Sequence, residues 1–220
     1  RDQHVGYSGM GSLANLAHHM FSVSGLTTAL LGLVLIGALG FLSVGHLKRQ
    51  ANAIVGDTLP GLSMAGQANA CMAQSFNRML LLVVCENAQE RVRIRREIDA
   101  YSETTGDLLA SYEDDINERE DRDIFSQLKR YRMEYLKIRE RAFSLIDSNK
   151  QQEALEMYER ELLPAFSQYK ETGDRLFAYN MEQGKARGES IMRVCTITQW
   201  VVAGIGVFIF IAGFLFGLFK

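Results

Sequence analysis

The residue types that most often catalyse reactions or bind metals are few and clustered in this chain. All four histidines lie near its start, at His4, His18, His19 and His46. Almost all charged residues follow them, between Lys48 and Arg193. A di-iron site in a helical bundle needs Glu-x-x-His pairs on facing helices, and Ser-His or Cys-His catalysis needs a histidine beside the nucleophile. We therefore predict no catalytic residue, metal site or cofactor in this charged region, and no enzymatic activity.

Arginine is the other residue type whose placement suggests chemistry. Arg78 carries a planar, fork-shaped donor that suits a carboxylate. Asn77 beside it and Gln168 later in the chain offer further polar contacts. We consider this trio a candidate ligand site, with a solvated or intersubunit ion pair at Arg78 as the alternative.

A second basic group consists of Arg91, Arg93, Arg95 and Arg96. It has the charge to bind an anion or a partner protein, but we favour ion pairs with its acidic neighbours Glu86, Glu90 and Glu97. The chain as a whole has 24 basic and 26 acidic residues, so it lacks the basic surplus expected of a nucleic-acid-binding protein.

Two apolar stretches enclose the charged region. No charged residue occurs in residues 20–45 or in residues 194–219, and about 20 apolar residues suffice for a helix to cross a bilayer. We predict an N-terminal segment (1–22), two transmembrane helices (23–45 and 194–220) and one intervening domain (46–193). The second span has small residues on one face, at Gly206, Gly213 and Gly217, which favours close helix pairing in the membrane.

Three histidines flank the first span, with His18 and His19 before it and His46 after it. Imidazoles in such positions could ligate a haem or chlorin at the membrane surface. Polar residues at the ends of spans are common, and we favour that interpretation.

The charged domain repeats apolar residues in steps of three and four, which is typical of packed helices. The four runs are Leu62–Val83, Ile94–Tyr112, Ile124–Leu145 and Leu155–Tyr179. Among the predicted core residues are Leu108, Ile138 and Leu145, as well as aromatic residues that we interpret as core rather than as a cofactor site. Short connections make neighbouring helices antiparallel. We therefore predict an all-α fold, an antiparallel up-down-up-down four-helix bundle whose first and fourth helices continue into the transmembrane helices.

The ends of these helices follow from polar clusters between the runs. Polar residues around Cys85–Gln89 predict the end of the first helix, and residues 147–149 predict the end of the third. In the intervening charge run, Asp123 is the predicted N-cap of the third helix.

Several short motifs carry a family resemblance. The stretch LGLVLIGALGFLSVGHL (31–47) leads to TLPGL (58–62), and a later helix contains NKxxEA (149–154) and ExELLPAF (159–166). Over residues 20–220 this arrangement resembles the four-helix-bundle ligand-binding domain of methyl-accepting chemotaxis receptors with its flanking spans. Related bundles also precede histidine kinases and cyclic-dinucleotide enzymes, so the resemblance identifies an input module rather than an output.

The resemblance implies a homodimer or higher oligomer in the cytoplasmic membrane, with the bundle in the periplasm. Such a sensor binds a small molecule and passes a helix displacement through its second span. A cytoplasmic coupling protein and a histidine kinase would be partners only if the chain continues past Lys220. In the amino-acid-sensing members an arginine on the first helix lies about as far from the membrane as Arg78 does here. Their other binding positions correspond in this chain to the surroundings of Val83, Asn87 and Ala165, which lack the residue types of those members. The resemblance therefore does not imply amino-acid specificity.

Two further functions remain open from the sequence. A rod with two glycine-faced spans could be a self-assembling membrane scaffold or an array subunit without signalling output. The same bundle could also be the input module of a histidine kinase or a cyclic-dinucleotide enzyme. We predict first a chemoreceptor-like sensor.

Overall fold

The computed structural model describes residues 32–218, and the side chains of residues 32–211. In this range the chain forms helices and no strand, and the four helices confirm the all-α four-helix bundle. Helix α1 covers Gly32–Val84, α2 covers Ala88–Asp114 and α3 covers Arg119–Asp147. Helix α4 begins with Gln151–Met157 and Tyr158–Leu162 and continues as Leu163–Leu218.

The helix ends follow local backbone chemistry. The Asn87 side chain accepts from the backbone N–H of Glu90 at 3.0 Å and caps α2. Helix α3 ends at Asp147, as predicted, and Asn149 reverses the chain with a φ of 58°. The prediction of Asp123 as an N-cap is wrong, because α3 already begins at Arg119. Acidic residues in that first turn favour the early start, since they interact with the positive end of the helix dipole.

The core of the bundle follows the predicted heptad pattern in most of α2 and α3. Ile98 and Leu128 are fully buried, as expected, and so are the predicted Tyr112 and Ala142 in the second halves. At three positions further along, Leu109, Arg139 and Ile146 are buried instead of the predicted residues. These lie one residue after the predicted Leu108, Ile138 and Leu145, which are only partly buried. A straight helix drifts by about 20° per heptad against a 3.5-residue repeat, and this drift moves the core to the next residue.

Both prolines follow a short π-helical segment. Ile54–Thr58 precedes Pro60, and Tyr158–Leu162 precedes Pro164. A proline ring clashes with the carbonyl four residues before it and provides no N–H to pair with it. Those carbonyls belong to residues 56 and 160, which lie within the two π segments. The wider π turn accommodates each proline without ending the helix.

The described residues divide into two compact units, Asn52–Gly188 and a second unit formed by residues 32–51 together with 189–218. In the second unit the two apolar helices contact each other. The Thr198 hydroxyl donates to Ser43 Oγ at 2.9 Å, and a Cβ on Gly32 would lie 2.9 Å from Ile209 Cδ1. Each of these helices is long and apolar enough to cross a membrane, and no residue of its apolar stretch is buried.

The predicted glycine face of the second span is described in part. A Cβ at Gly206 would have no atom within 4 Å, so this position is open in the single chain. Gly213 and Gly217 lie outside the residues whose surroundings are described, as do His18 and His19.

Candidate functional site

The predicted ligand residues lie on the outside of the bundle. Arg78 Nε on α1 lies 2.8 Å from Glu97 Oε2 on α2, and both side chains are partly exposed. Asn77 and Gln168 are exposed. This contact is the ion pair considered as the alternative for Arg78, here formed within one chain. A ligand role for the three residues stays a prediction.

The basic group at the start of α2 is engaged locally. Arg93 pairs with Glu90 and with Glu97, as the ion-pair interpretation predicted. Arg91 instead donates to the Cys85 carbonyl at 2.7 Å and to Asn149 Oδ1 at 3.3 Å. Arg91 therefore connects the two loops at this end of the bundle. Its guanidinium group is used in these hydrogen bonds rather than left free to bind an anion.

A cavity between the four helices gathers polar side chains from all of them. Its empty volume is about 240 Å³, including the part that opens to solvent. The lining residues are Met72 and Ser75 from α1, Ser102 and Thr105 from α2, Arg132, Tyr135, Leu136 and Arg139 from α3, and Tyr169 from α4. We call it the donor cavity, for reasons that its hydrogen bonds give.

Helix α3 supplies three of the seven polar lining residues, more than any other helix. Arg132, Tyr135 and Arg139 are spaced by three and four residues and share one helix face. Arg139 occupies one of the core positions created by the heptad drift and is only 7% exposed. On the facing α2, a Cβ at Gly106 would lie 3.0 Å from Arg132 Nη2. The glycine therefore leaves room for the guanidinium group at the cavity wall.

Several donors in the donor cavity have no hydrogen-bond partner among the described residues. They are Nε and Nη1 of Arg139 and the O–H groups of Tyr135 and Tyr169. The two phenol oxygens lie near Ser75 and Arg132, which interact with them as donors, so the phenol hydrogens still lack an acceptor. Nη2 of Arg139 contacts Glu140 Oε1 at 3.1 Å, outside the cavity. Arg132 donates to the Ser102 carbonyl at 3.2 Å. The hydroxyls of Ser75 and Thr105 also donate to backbone carbonyls, so the donors left over are the guanidinium and phenol groups.

The electrostatics of the donor cavity are positive. Burial raises the pKa of Tyr135 and of Tyr169, with the nearby guanidinium groups opposing the shift. Both phenols therefore stay neutral and keep their O–H donors at physiological pH. Among the described residues that line the cavity, none is acidic. The donor cavity can therefore donate hydrogen bonds to an anion, and its described lining has no negatively charged side chain for a cation.

Metal chemistry has no comparable site. Among the described residues, no group of three His, Cys, Asp or Glu side chains is arranged to hold a metal ion. The cysteines Cys71, Cys85 and Cys195 are free thiols.

The sequence comparison decides the family. Residues 23–193 match a family described as a four helix bundle sensory module for signal transduction. The chain belongs to this family. No curated protein matches the chain. Membership in this sensory module family confirms the resemblance to the bundles of chemotaxis receptors, and the family is a signalling module rather than a catalytic one.

Sequence reasoning missed the donor cavity of the sensory module because it treated Tyr135 and Tyr169 as ordinary core residues. Both are core by burial, each 3% exposed, yet their hydroxyls remain unpaired. The available signal was Arg139. It lies four residues after Tyr135 and three before Ala142, so it shares a helix face with these two core residues. An arginine in register with core positions indicates either a buried ion pair or a binding site.

Proposed function

We propose that this chain is the sensory region of a membrane receptor, which detects a small molecule in its bundle and passes a displacement of α4 through the second span. The observation that carries the proposal is the continuity of α4. Leu163–Leu218 is one helix without a break, so Tyr169 at the donor cavity and the apolar stretch around Gly206 belong to the same element. In this proposal a displacement of α4 at the donor cavity carries the signal to the second span, as helix shifts do in other allosteric proteins.

A clasp between α1 and α4 gives the displacement a defined starting position. Nη1 of Arg187 lies 2.6 Å from Asp57 Oδ2, 2.5 Å from Thr58 Oγ1 and 3.2 Å from the Ala53 carbonyl. These contacts join α4 to the π segment of α1. A slide of about 1–2 Å, typical of helix shifts in receptors and allosteric proteins, would break or exchange them.

A ligand shifts such an equilibrium only as far as it prefers one arrangement over the other. The π segments of α1 and α4 are the elements suited to two arrangements, since π turns are irregular hydrogen-bonding sites that often mark functional positions. The sensor therefore needs a ligand whose affinity depends on the position of α4, and the donor cavity includes Tyr169 from that helix.

The predicted organisation completes the proposal. Residues 23–45 and 194–220 form the spans, residues 46–193 form the sensor domain on the periplasmic side, and residues 1–22 precede the first span. Two copies pair through the bundle and the spans. The open face at Gly206 supports pairing in the membrane, since small residues let helices approach closely.

A chimeric receptor tests the function. The chain would be joined to the cytoplasmic part of a chemoreceptor whose kinase output is measurable, and the clasp would be broken with Asp57→Asn. We expect the basal kinase output to change severalfold. Glu113→Gln is the matched control, because Glu113 pairs with Lys129 at 2.8 Å on the exposed surface and lies outside both π segments. Output that ignores every clasp substitution would contradict a sensor and favour the scaffold.

A further inference from the structure

We propose that the donor cavity binds a small oxyanion of carboxylate size inside a single bundle, held by Arg139, Tyr135 and Tyr169. This site lies in the interior and differs from the surface trio that includes Arg78. The inference deepens the proposed function by naming the ligand class, and it rests on that function only for the consequence of binding.

The unpaired donors of the buried Arg139 favour an anion in the donor cavity. A buried hydrogen-bond donor without an acceptor destabilises the folded protein, even where another atom of the same side chain is paired. Arg139 leaves Nε and Nη1 unpaired although it is nearly fully buried. A well-packed apolar residue of similar volume would avoid this cost. An anion in the donor cavity would satisfy the same groups, and this explains why an arginine is placed there.

The donors suit an anion better than a cation or a single water molecule. A cation would meet guanidinium groups and phenol O–H donors. A water molecule accepts two hydrogen bonds, so it leaves two of the four donors unpaired, while hydroxyl oxygens of the lining can accept its hydrogens. The cavity offers four unpaired donors, Nε and Nη1 of Arg139 and the two tyrosine hydroxyls. The two oxygens of a carboxylate have about four lone-pair positions and bring no hydrogen, so they match this set.

The size of the donor cavity sets the size of the ligand. The donor cavity encloses room for roughly one water-sized molecule, and its empty volume of about 240 Å³ includes a part that opens to solvent. The carboxylate group would occupy the enclosed space, and a short apolar tail would extend toward the open part. Met72 and Leu136 provide apolar contacts for the tail, and methionine adapts its shape easily. Acetate therefore serves as the test ligand.

Calorimetry on the full chain in lipid nanodiscs tests the site. Sodium acetate would be titrated into the protein at constant ionic strength, with sodium chloride as the comparison. We expect acetate to bind and Arg139→Met to weaken binding by at least about tenfold. Arg141→Met is the matched control on the same helix, with a side chain that is 52% exposed and pairs with Glu161. It should bind acetate like the wild type.

The tyrosine variants keep the test decisive if Arg139→Met fails to fold. Tyr135→Phe and Tyr169→Phe each remove one donor and no ring, and each should weaken acetate binding about tenfold, the effect of one hydrogen bond to a charged group. Absence of acetate binding by the wild type would overturn the proposal. So would equal binding by the variants, or chloride binding as tight as acetate binding.

The experiments can disprove the ligand site and the sensor function independently of each other. If acetate binds through these residues but does not alter the kinase output of the chimeric receptor, the ligand site stands and the proposed function fails. If acetate does not bind while clasp substitutions still change the output, the sensor function stands and this site is wrong.

Discussion

Arg187 on α4 donates from Nη1 to Asp57 Oδ2 on α1 across 2.6 Å. The arginine side chain is 19% exposed, and the same nitrogen contacts the Ala53 carbonyl before the π segment and the Thr58 hydroxyl within it. One guanidinium group therefore fixes the irregular turn of α1 to the helix that continues as the second apolar stretch. Stability and signalling should both depend on this contact.

A double-mutant cycle measures the strength of this clasp. We expect Asp57→Asn and Arg187→Met to be coupled by about 1.5 kcal/mol, the range for hydrogen bonds to charged groups that are shielded from water. The exposed pair Arg141–Glu161 provides the comparison and should show at most about 0.5 kcal/mol. Thermal unfolding of the wild type, the four single variants and the two double variants, followed by circular dichroism, gives both coupling energies. Equal coupling in the two pairs would mean that the clasp is an ordinary surface ion pair.

Two glycines should respond in opposite ways to alanine. A Cβ at Gly61 would lie 2.6 Å from Asn180 Oδ1, and Asn180 is fixed by hydrogen bonds to Tyr112 and to the Leu176 carbonyl. Gly61→Ala should therefore destabilise the bundle by about 1–3 kcal/mol, as overpacking does.

Gly106→Ala provides the contrast, because the nearest atom is the end of the flexible Arg132 side chain. We expect a gain of about 0.5–1 kcal/mol from helix propensity together with weaker acetate binding, since Arg132 must move. Unfolding curves and calorimetry of the same samples provide both values. If Gly106→Ala destabilised the bundle as much as Gly61→Ala, the Arg132 side chain would be unable to move away from the new methyl group, contrary to this prediction.

Asp121 makes the stability of the bundle depend on pH. Burial raises the pKa of its carboxyl group, the hydrogen bond from Tyr112 opposes the rise, and Asp57 and Glu118 add to it. The stability contributed by this group is therefore complete below the ordinary pKa and is lost as the pH rises through the raised pKa.

Asp121→Asn removes this dependence and keeps an oxygen that accepts from the Tyr112 hydroxyl, now 2.6 Å from Asp121 Oδ1. We expect the variant to be more stable than the wild type at neutral pH and equal to it below about pH 3.9. Melting curves across this range test the sign. Asp123→Asn, in an exposed position on the same helix, should change stability little at any pH. A constant difference between Asp121→Asn and wild type would contradict the account.

Tyr135→Phe should have opposite effects with and without ligand. In the free protein the Tyr135 hydroxyl is buried and unpaired, so its removal should stabilise the bundle by about 1 kcal/mol. In saturating acetate the wild type should gain more stability than the variant, because it binds the anion more tightly. Thermal shifts in the two buffers reveal whether the order changes. A destabilised free variant would indicate that the hydroxyl already has a partner.

The sequence was sufficient for the architecture, because heptad spacing and long apolar stretches report burial averaged over many residues. Exact core positions needed the structure. Ile138 and Arg139 are neighbours in sequence, and a drift of a few degrees per residue decides which of them is buried. The donor cavity could not be predicted for the same reason, because Ile138 fits the apolar pattern better than its neighbour Arg139, which lines the cavity.

Other features depend on contacts between distant parts of the chain. A proline in a helix leaves a carbonyl unpaired, but only the backbone shows that each helix continues through a π turn. Arg187 and Asp57 carry no local signal of their pairing, because they are 130 residues apart.

Disulfide formation between the two spans tests the central claim, that a change in the bundle reaches the membrane. Ser43 and Thr198 have hydroxyls 2.9 Å apart, so Ser43→Cys with Thr198→Cys should form a disulfide in vesicles, after Cys71, Cys85 and Cys195 are replaced by serine. The account predicts that adding Asp57→Asn changes the rate of disulfide formation severalfold, whereas adding Glu113→Gln, at an exposed ion pair with Lys129, does not. Identical rates in all three proteins would contradict it.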